Sequence, residues 1–179
     1  VNFTKGCVST LRYRDSVRDA IQHYKFTPNP AYGEPFGILM TQCVQDHSEI
    51  GSDLITWTPL SRKRRWKRGF DQAELLARTM GRELGIPVLS TLTKIRDTPP
   101  QSGLEEDTAR RANAMGAYEL RQGENISGKR ILLVDDVVTS GSTLEECAGI
   151  LCEAGAAEIW CVTTAQAGER DRENKEKEK

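Results

Sequence analysis

The sequence predicts an α/β domain with a doubly wound, mainly parallel sheet. Three observations predict it. Short apolar runs alternate with amphipathic helical stretches along most of the chain, the pattern of successive βαβ units. Ile131, Leu132, Leu133 and Val134 form an unbroken apolar run, as in a parallel strand covered on both faces. Gly85 and Gly155 each stand between a helical stretch and the next strand-like run, where a helix commonly ends.

From the start of the chain, Val8 to Tyr13 alternates apolar and polar residues, as a half-buried strand does. Asp15 and Ser16 can cap a helix carrying Val17, Ala20, Ile21 and Tyr24 on one face. Three prolines and a glycine between Phe26 and Pro35 indicate a loop, and Phe36 to Gln45 a second helix. Leu54 to Thr58 reads as a strand ending at Pro59, followed by a basic loop. A helix then runs from Asp71 to Leu84, with Ala73, Leu76, Ala77, Met80 and Leu84 on one side. Pro87 to Leu92 is the next strand. Thr93 to Asn113 reads as a long, mobile polar loop, functional or disordered as loops of that length tend to be, with a partly helical end over Ala114 to Leu120. After the strand at Ile131, a helix spans Ser142 to Glu153 with Leu144, Cys147, Ala148 and Leu151 inward, and Ile159 to Thr163 is the last strand. Residues 1–168 are expected to form one domain, with about 1–50 as leading helices and 53–168 as core. Residues 169–179 contain nothing apolar and are expected to be a charged, solvated tail.

Composition narrows the function classes. A chain of 179 residues, 37% hydrophobic and 28% charged, suits a single globular domain. No apolar run approaches the ~20 residues that span a bilayer, and VNFTKGCVST lacks the apolar stretch of a signal peptide. No membrane insertion and a cytoplasmic location are expected. Because the chain begins with Val, a preceding segment can be missing. Five cysteines without a C-x-x-C pair argue against a disulfide framework or a zinc ribbon. They are expected to be reduced core residues, with no zinc in this chain. The net charge of −1 conceals a basic cluster in the middle of the sequence.

The chemistry lies in ILLVDDVVTSGST, Ile131 to Thr143. Two carboxylates stand where a buried strand ends, and a hydroxyl-rich loop stands where a helix begins. Ligands of open α/β sheets bind at such strand ends, and the unpaired N–H groups and dipole of a helix N-terminus attract phosphate. Gly141 allows close backbone approach, and Thr139, Ser140, Ser142 and Thr143 offer hydroxyl donors. Asp135 and Asp136 are poor phosphate ligands but good acceptors for two adjacent sugar hydroxyls. A phosphate grip beside a diol grip fits a ribose 5-phosphate. Two plainer readings compete. A Walker B element would suit the apolar run with Asp-Asp, and Gly123 to Lys129 offers a G-x-x-x-x-G-K string; but Arg130 stands where Ser or Thr is needed, and the string precedes its strand. A structural turn capped by Ser142 explains one hydroxyl, but neither the other three nor the paired acids.

VDDVVTSGST resembles the phosphoribosyl-pyrophosphate motif of type I phosphoribosyltransferases. The resemblance implies that Asp135 and Asp136 contact ribose hydroxyls, and that Val137, Val138, Thr139, Ser140, Gly141, Ser142 and Thr143 form the 5-phosphate loop. It also implies Mg²⁺ bound with the substrate, reached by Asp135 and Asp136 indirectly through water or ribose hydroxyls. The basic stretch after Pro59 supplies cations at the same sheet edge: Arg62, Lys63, Arg64, Arg65, Lys67 and Arg68 around Trp66. Arginine grips pyrophosphate oxygens bidentately, although six cations and an aromatic also suit a nucleic-acid surface. TPLSRKRRWKRGFDQAELLA is similar to the V-P…R-G-F-N-Q-A segment of the ComF family of late-competence phosphoribosyltransferase-like proteins, with Asp71 in place of the usual Asn. Thr98-Pro99-Pro100-Gln101 with Arg110, Arg111 and Asn113 is similar to that family's T-x-x-Q…R-x-x-N stretch. Leu11 to Phe26 resembles its Y-x-x-x-x-R…L-K-F segment.

What the resemblance implies is a phosphoribosyltransferase fold using 5-phosphoribosyl-1-pyrophosphate, with a small N-terminal hood in about residues 1–50. Leu60, Ser61, Arg62, Arg65, Arg68 and Gly69 would face pyrophosphate, while Gln101, Arg110 and Arg111 would close over the site and act with Arg68 in catalysis. The acceptor is an unidentified base or amine, selected by a hood in which Tyr13, Tyr24 and Phe26 stack on a ring or simply fill the core. Competence machinery and single-stranded DNA are further implied partners, and a homodimer is compatible with this reading. A non-catalytic module that senses phosphoribosyl pyrophosphate or a nucleotide is the alternative to a transferase. Many ComF proteins carry a four-cysteine zinc-binding segment ahead of this region. Here only Cys7 lies near that end, so either the segment has been removed or this branch lacks it.

Overall fold

In the computed structural model, residues 3–26, 31, 33–97, 112 and 114–167 are described. The elements follow the order β1 (Gly6–Arg12), α1 (Asp15–Phe26), α2 (Gly33–Gln45), β2 (Leu54–Trp57), α3 (Arg62–Arg68), α4 (Gln72–Leu84), β3 (Leu92–Lys94), β4 (Tyr118–Leu120), β5 (Arg130–Val138), α5 (Ser142–Glu153) and β6 (Glu158–Gln166). Four strands make the main sheet, in the order β1-β6-β5-β2, and every neighbour pair is parallel. This is the expected α/β architecture, and all four strands end at one edge of the sheet.

Strand periodicity divides the core in two. In β5, Ile131 and Leu133 join Cys147, Ala148 and Leu151 of α5 on one face. Leu132 and Val134 point the other way, to Met40 of α2 and to Leu76 and Met80 of α4. Side chains alternate across a strand, so a strand buried on both faces must be apolar throughout. Asp71 caps α4 by accepting from the Glu74 N–H at 3.3 Å, and Gly85 ends it at φ 67°, the left-handed conformation glycine tolerates.

Four elements differ from expectation. The basic stretch after Pro59 is a helix, α3, capped by Ser61 and closed by Gly69 at φ 81°. Arg and Lys are good helix formers, and cations in the last turn complement the helix dipole. The strand expected over Pro87 to Leu92 is reduced to one bridge, Val88 with Ile55, while regular pairing begins at Leu92. There β3 pairs antiparallel with β4, so part of the expected loop and its partly helical end form a small second sheet. The leading segment, expected as a hood, contributes β1 to the main sheet beside β6. All five thiols are free, but only Cys147 and Cys161 are buried; Cys7 and Cys152 are exposed, contrary to the expectation of five core cysteines. No helix among the described residues is long and apolar enough to cross a membrane.

Candidate functional site

At the carboxyl edge of the main sheet, β5 passes through Asp135 and Asp136 and gives way to a short loop and α5. Gly141 adopts φ 78° at the α5 N-cap, and no side chain caps the helix there. Ser140 is instead 2.8 Å from Ser142, hydroxyl to hydroxyl. The Ser142 N–H makes a long contact, 3.5 Å, with the Ser140 hydroxyl, and with no side-chain cap at Gly141 the start of α5 suits an anion.

The two carboxylates have different surroundings. Asp135 accepts from the Asp136 N–H at 2.8 Å and from the Thr58 hydroxyl. Burial and the neighbouring Asp136 charge push its carboxyl above the ordinary range, against the pull of those hydrogen bonds and of Lys25. Asp136 accepts from the Val137 N–H at 2.7 Å and pairs with Lys25 at 2.8 Å. Both acids line a cavity of about 650 Å³ at this edge, within the range of small-molecule sites.

The other wall is cationic. Arg64, Lys67 and Arg68 line it from α3, and Lys94 lines it from β3. Burial lowers the pKa of Arg68, opposed mainly by Asp136, and burial likewise lowers that of Lys94, reinforced by Arg64. The α3 entry is pinned by side chains. The Leu60 N–H donates to Asp71 at 2.8 Å, and the Ser61 hydroxyl donates to Asp97 at 2.7 Å. Burial raises the Asp71 carboxyl, while the N–H groups of Leu60 and Glu74 hold it down. Tyr118 of β4 hydrogen-bonds Thr143 and lies under the Lys94 ammonium, 4.9 Å from ring centroid to Nζ. Asp135, Asp136, the N-terminus of α5 and five cations, Lys25, Arg64, Lys67, Arg68 and Lys94, thus converge on one space, where a sugar diol and several phosphate oxygens would find complementary partners.

Sequence comparison places the chain among known proteins. The model of the phosphoribosyl transferase domain matches residues 68–179. Competence protein F of Haemophilus influenzae is 34% identical over 153 residues, covering 82% of this chain and 66% of the relative. DNA utilization protein YhgH of Salmonella typhimurium is 38% identical over 162 residues, covering 87% and 70%. The chain belongs to the ComF family of phosphoribosyltransferase-like proteins. Competence protein ComFC of Streptococcus pneumoniae is also similar, 28% identical over 147 residues, covering 82% of this chain and 62% of the relative. This ComF chain thus spans 62–70% of the length of these relatives. Among solved structures, the glutamine phosphoribosylpyrophosphate amidotransferase of B. subtilis, complexed with ADP and GMP, matches with a TM-score of 0.54 and 21% identity. That match covers 80% of this chain and 30% of the other, and carries the fold.

Of the site residues expected from the ComF resemblance, the structure brings Leu60, Arg68, Asp135, Asp136, Val137, Val138, Thr139, Gly141, Ser142 and Thr143 to the cavity. It does not bring Arg62 or Arg65. Once residues 62–68 are a helix, positions 64, 67 and 68 share the inner face, and Arg65 turns to Glu74 at 2.9 Å. Ser61, Gly69 and Ser140 do not line the cavity; the first two cap α3. Gln101, Arg110 and Arg111 lie outside the described residues. Tyr24 is core, 1% exposed, with its hydroxyl donating to the Gln72 carbonyl at 3.0 Å, whereas Tyr13 and Phe26 do line the cavity. Sequence reasoning missed Lys25, Thr58, Lys94 and Tyr118 as site residues. Lys25, inside the L-K-F resemblance, and Thr58, at the head of the TPLSRKRRWKRGFDQAELLA resemblance, carried a signal, whereas Lys94 and Tyr118 lie outside the quoted segments.

The donor set suits a hard cation held mainly by its ligand. Asp135 and Asp136 are oxygen donors of the kind Mg²⁺ takes, and it keeps several waters beside one or two carboxylates. Among the described residues no group of three or more His, Cys, Asp or Glu converges as a metal cage.

Proposed function

We propose that this chain binds 5-phosphoribosyl-1-pyrophosphate with Mg²⁺ and transfers the phosphoribosyl group to a base or amine, releasing pyrophosphate. The observation that carries this reading is the opening of the Asp135–Asp136 pair, the uncapped α5 N-terminus and the cationic wall of α3 onto one cavity. The acids accept the ribose hydroxyls, the loop from Thr139 to Thr143 takes the 5-phosphate, and Arg64, Lys67 and Arg68 take the pyrophosphate. Breaking the bond at C1 leaves positive charge on the sugar ring and negative charge on the departing pyrophosphate, so cations fixed at the leaving group favour the transition state. Asp135 and Asp136 would hold Mg²⁺ through water or ribose hydroxyls, and the ion would supply further neutralisation of pyrophosphate. Calorimetric titration of phosphoribosyl pyrophosphate with Mg²⁺ present tests the reading: saturable binding supports it, and none at millimolar ligand overturns it. Pyrophosphate release across a panel of bases and amines then separates a transferase from a sensor. The relatives' names, competence and DNA utilization protein, support a role for this chain in the handling of DNA.

A second reading rests on Trp66. It is 89% exposed on α3, beside the exposed cations Arg62, Lys63, Arg65 and Lys67. An exposed indole among cations is what single-stranded nucleic acid stacks upon. On this reading α3 serves two ligands, phosphate groups on its inner face and a nucleic-acid strand on its outer face.

A further inference from the structure

Lys25 reaches the site from α1, apart from the β5–loop–α5 segment and the basic helix α3. It stands in the last turn of α1, and its ammonium lies 2.8 Å from Asp136 with 19% of the side chain exposed. Its neighbours fasten it there. Tyr24 is buried and hydrogen-bonded to the Gln72 carbonyl, and the Gln72 amide makes a long contact, 3.5 Å, with the Lys25 carbonyl. Phe26 lies 5.4 Å from the Arg68 guanidinium, ring centroid to Cζ. The end of α1 therefore touches both the diol-binding acid and the cationic helix.

Charge explains why a cation is needed at that point. Two adjacent carboxylates that accept sugar hydroxyls also repel a ligand bearing phosphate and pyrophosphate, and such repulsion is strong where water is scarce. An ammonium has three donors, and an ionised carboxylate has about four acceptor positions. Asp136 uses one position on Val137 and one on Lys25, which leaves room for a hydroxyl. Lys25 in turn keeps donors to offer.

We propose that Lys25 is a resident binding cation of the phosphoribosyl site. It neutralises Asp136 and donates to the ligand's oxygens, so that phosphoribosyl pyrophosphate binds without metal and Mg²⁺ adds to an affinity already present. This rests on the reading of the cavity as a phosphoribosyl pyrophosphate site.

The experiment is calorimetric titration of phosphoribosyl pyrophosphate into the full chain, in EDTA and in saturating Mg²⁺, with wild type, Lys25→Met and Lys25→Arg. Wild type is expected to bind in both conditions. Lys25→Met is expected to lose about tenfold or more in EDTA, the scale of one charge-assisted hydrogen bond, and much less with Mg²⁺; Lys25→Arg should restore part of the metal-free affinity. Wild type that binds only with Mg²⁺ overturns the inference even if Lys25→Met fails to fold. So does a folded Lys25→Met with unchanged affinity in EDTA. Both of those results leave the phosphoribosyl pyrophosphate site standing, whereas wild type that binds in neither condition overturns the site and this inference together.

Discussion

Asp135 and Asp136 are adjacent, yet burial and the charge of Asp136 raise Asp135, while Asp136 has Lys25 beside it. Ionised Asp135 is the stronger acceptor of hydroxyl donors, so phosphoribosyl pyrophosphate affinity is expected to rise with pH as that carboxyl ionises. Stability runs the opposite way: a carboxyl raised on folding favours the folded state most below its unfolded pKa, and that advantage is lost as pH rises through the folded value. Titrations over a pH series, with Asp135→Asn as control, read the effect; a pH profile unchanged in the variant would assign the rise to the ligand's own phosphates. The double variant Asp135→Asn with Asp136→Asn is expected to lose a few kcal/mol of binding, at about 1.5–3 per charged hydrogen bond. Far from the site, Arg130 holds Asp53 down at about 2 through a 2.7 Å contact to one carboxylate oxygen and a 3.2 Å contact to the other. A depressed carboxyl stabilises the fold above its unfolded pKa, and that stability is lost as pH falls through the folded one. The melting-temperature gap between wild type and Asp53→Asn should therefore narrow on acidification below about pH 4, and a constant gap would contradict the pairing.

At the scale of elements, α3 depends on its caps, because none of its residues is buried. Ser61 accepts from the Arg64 N–H at 3.3 Å and donates to Asp97. Ser61→Ala is expected to cost about 1 kcal/mol of stability, the usual worth of an N-cap. It should also weaken pyrophosphate binding by loosening the helix that carries Arg64 and Arg68. Thermal melts and pyrophosphate titration measure the two effects, and intact binding after a lost cap would mean that α3 is held by something else. The same helix shows where sequence stops being informative. The β5–loop–α5 unit was legible because an apolar run, paired acids and hydroxyls occupy one stretch of chain. In α3, seven residues with no apolar face give no periodicity to read, and without the helix nothing showed that Arg64 and Lys67, rather than the expected Arg62 and Arg65, line the cavity. Lys25, Lys94 and Tyr118 reach the site from α1, β3 and β4, whose approach is set by tertiary packing. Local pattern does not encode that. Gly37 is a simpler case. A Cβ there would sit 2.6 Å from the Thr79 side chain where α2 meets α4, so Gly37→Ala should destabilise the fold by about 1–3 kcal/mol through overpacking.

For the whole molecule, a net charge of −1 hides a strong local asymmetry. Lys25, Arg64, Lys67, Arg68 and Lys94 face one cavity, while Arg62, Lys63 and Trp66 face outward from the same helix region. Salt distinguishes what the two surfaces do. Pairs inside a cavity are screened less than exposed ones, for which the screening length is about 8 Å at physiological ionic strength. A single strand lying along α3 would release counterions, with a slope of about −0.7 in log affinity against log salt for each phosphate neutralised. Phosphoribosyl pyrophosphate affinity is therefore expected to fall gently with salt and to survive the combined changes Arg62→Gln, Lys63→Gln and Trp66→Ala. Affinity for an oligonucleotide is expected to fall steeply with salt and to be lost in that variant. Titrating both ligands over a salt series reads the two surfaces separately. If the triple variant lost both ligands equally while remaining folded, the inner and outer faces of α3 would not be independent, and the two-ligand view of this helix would have to be abandoned in favour of one shared phosphate-binding surface.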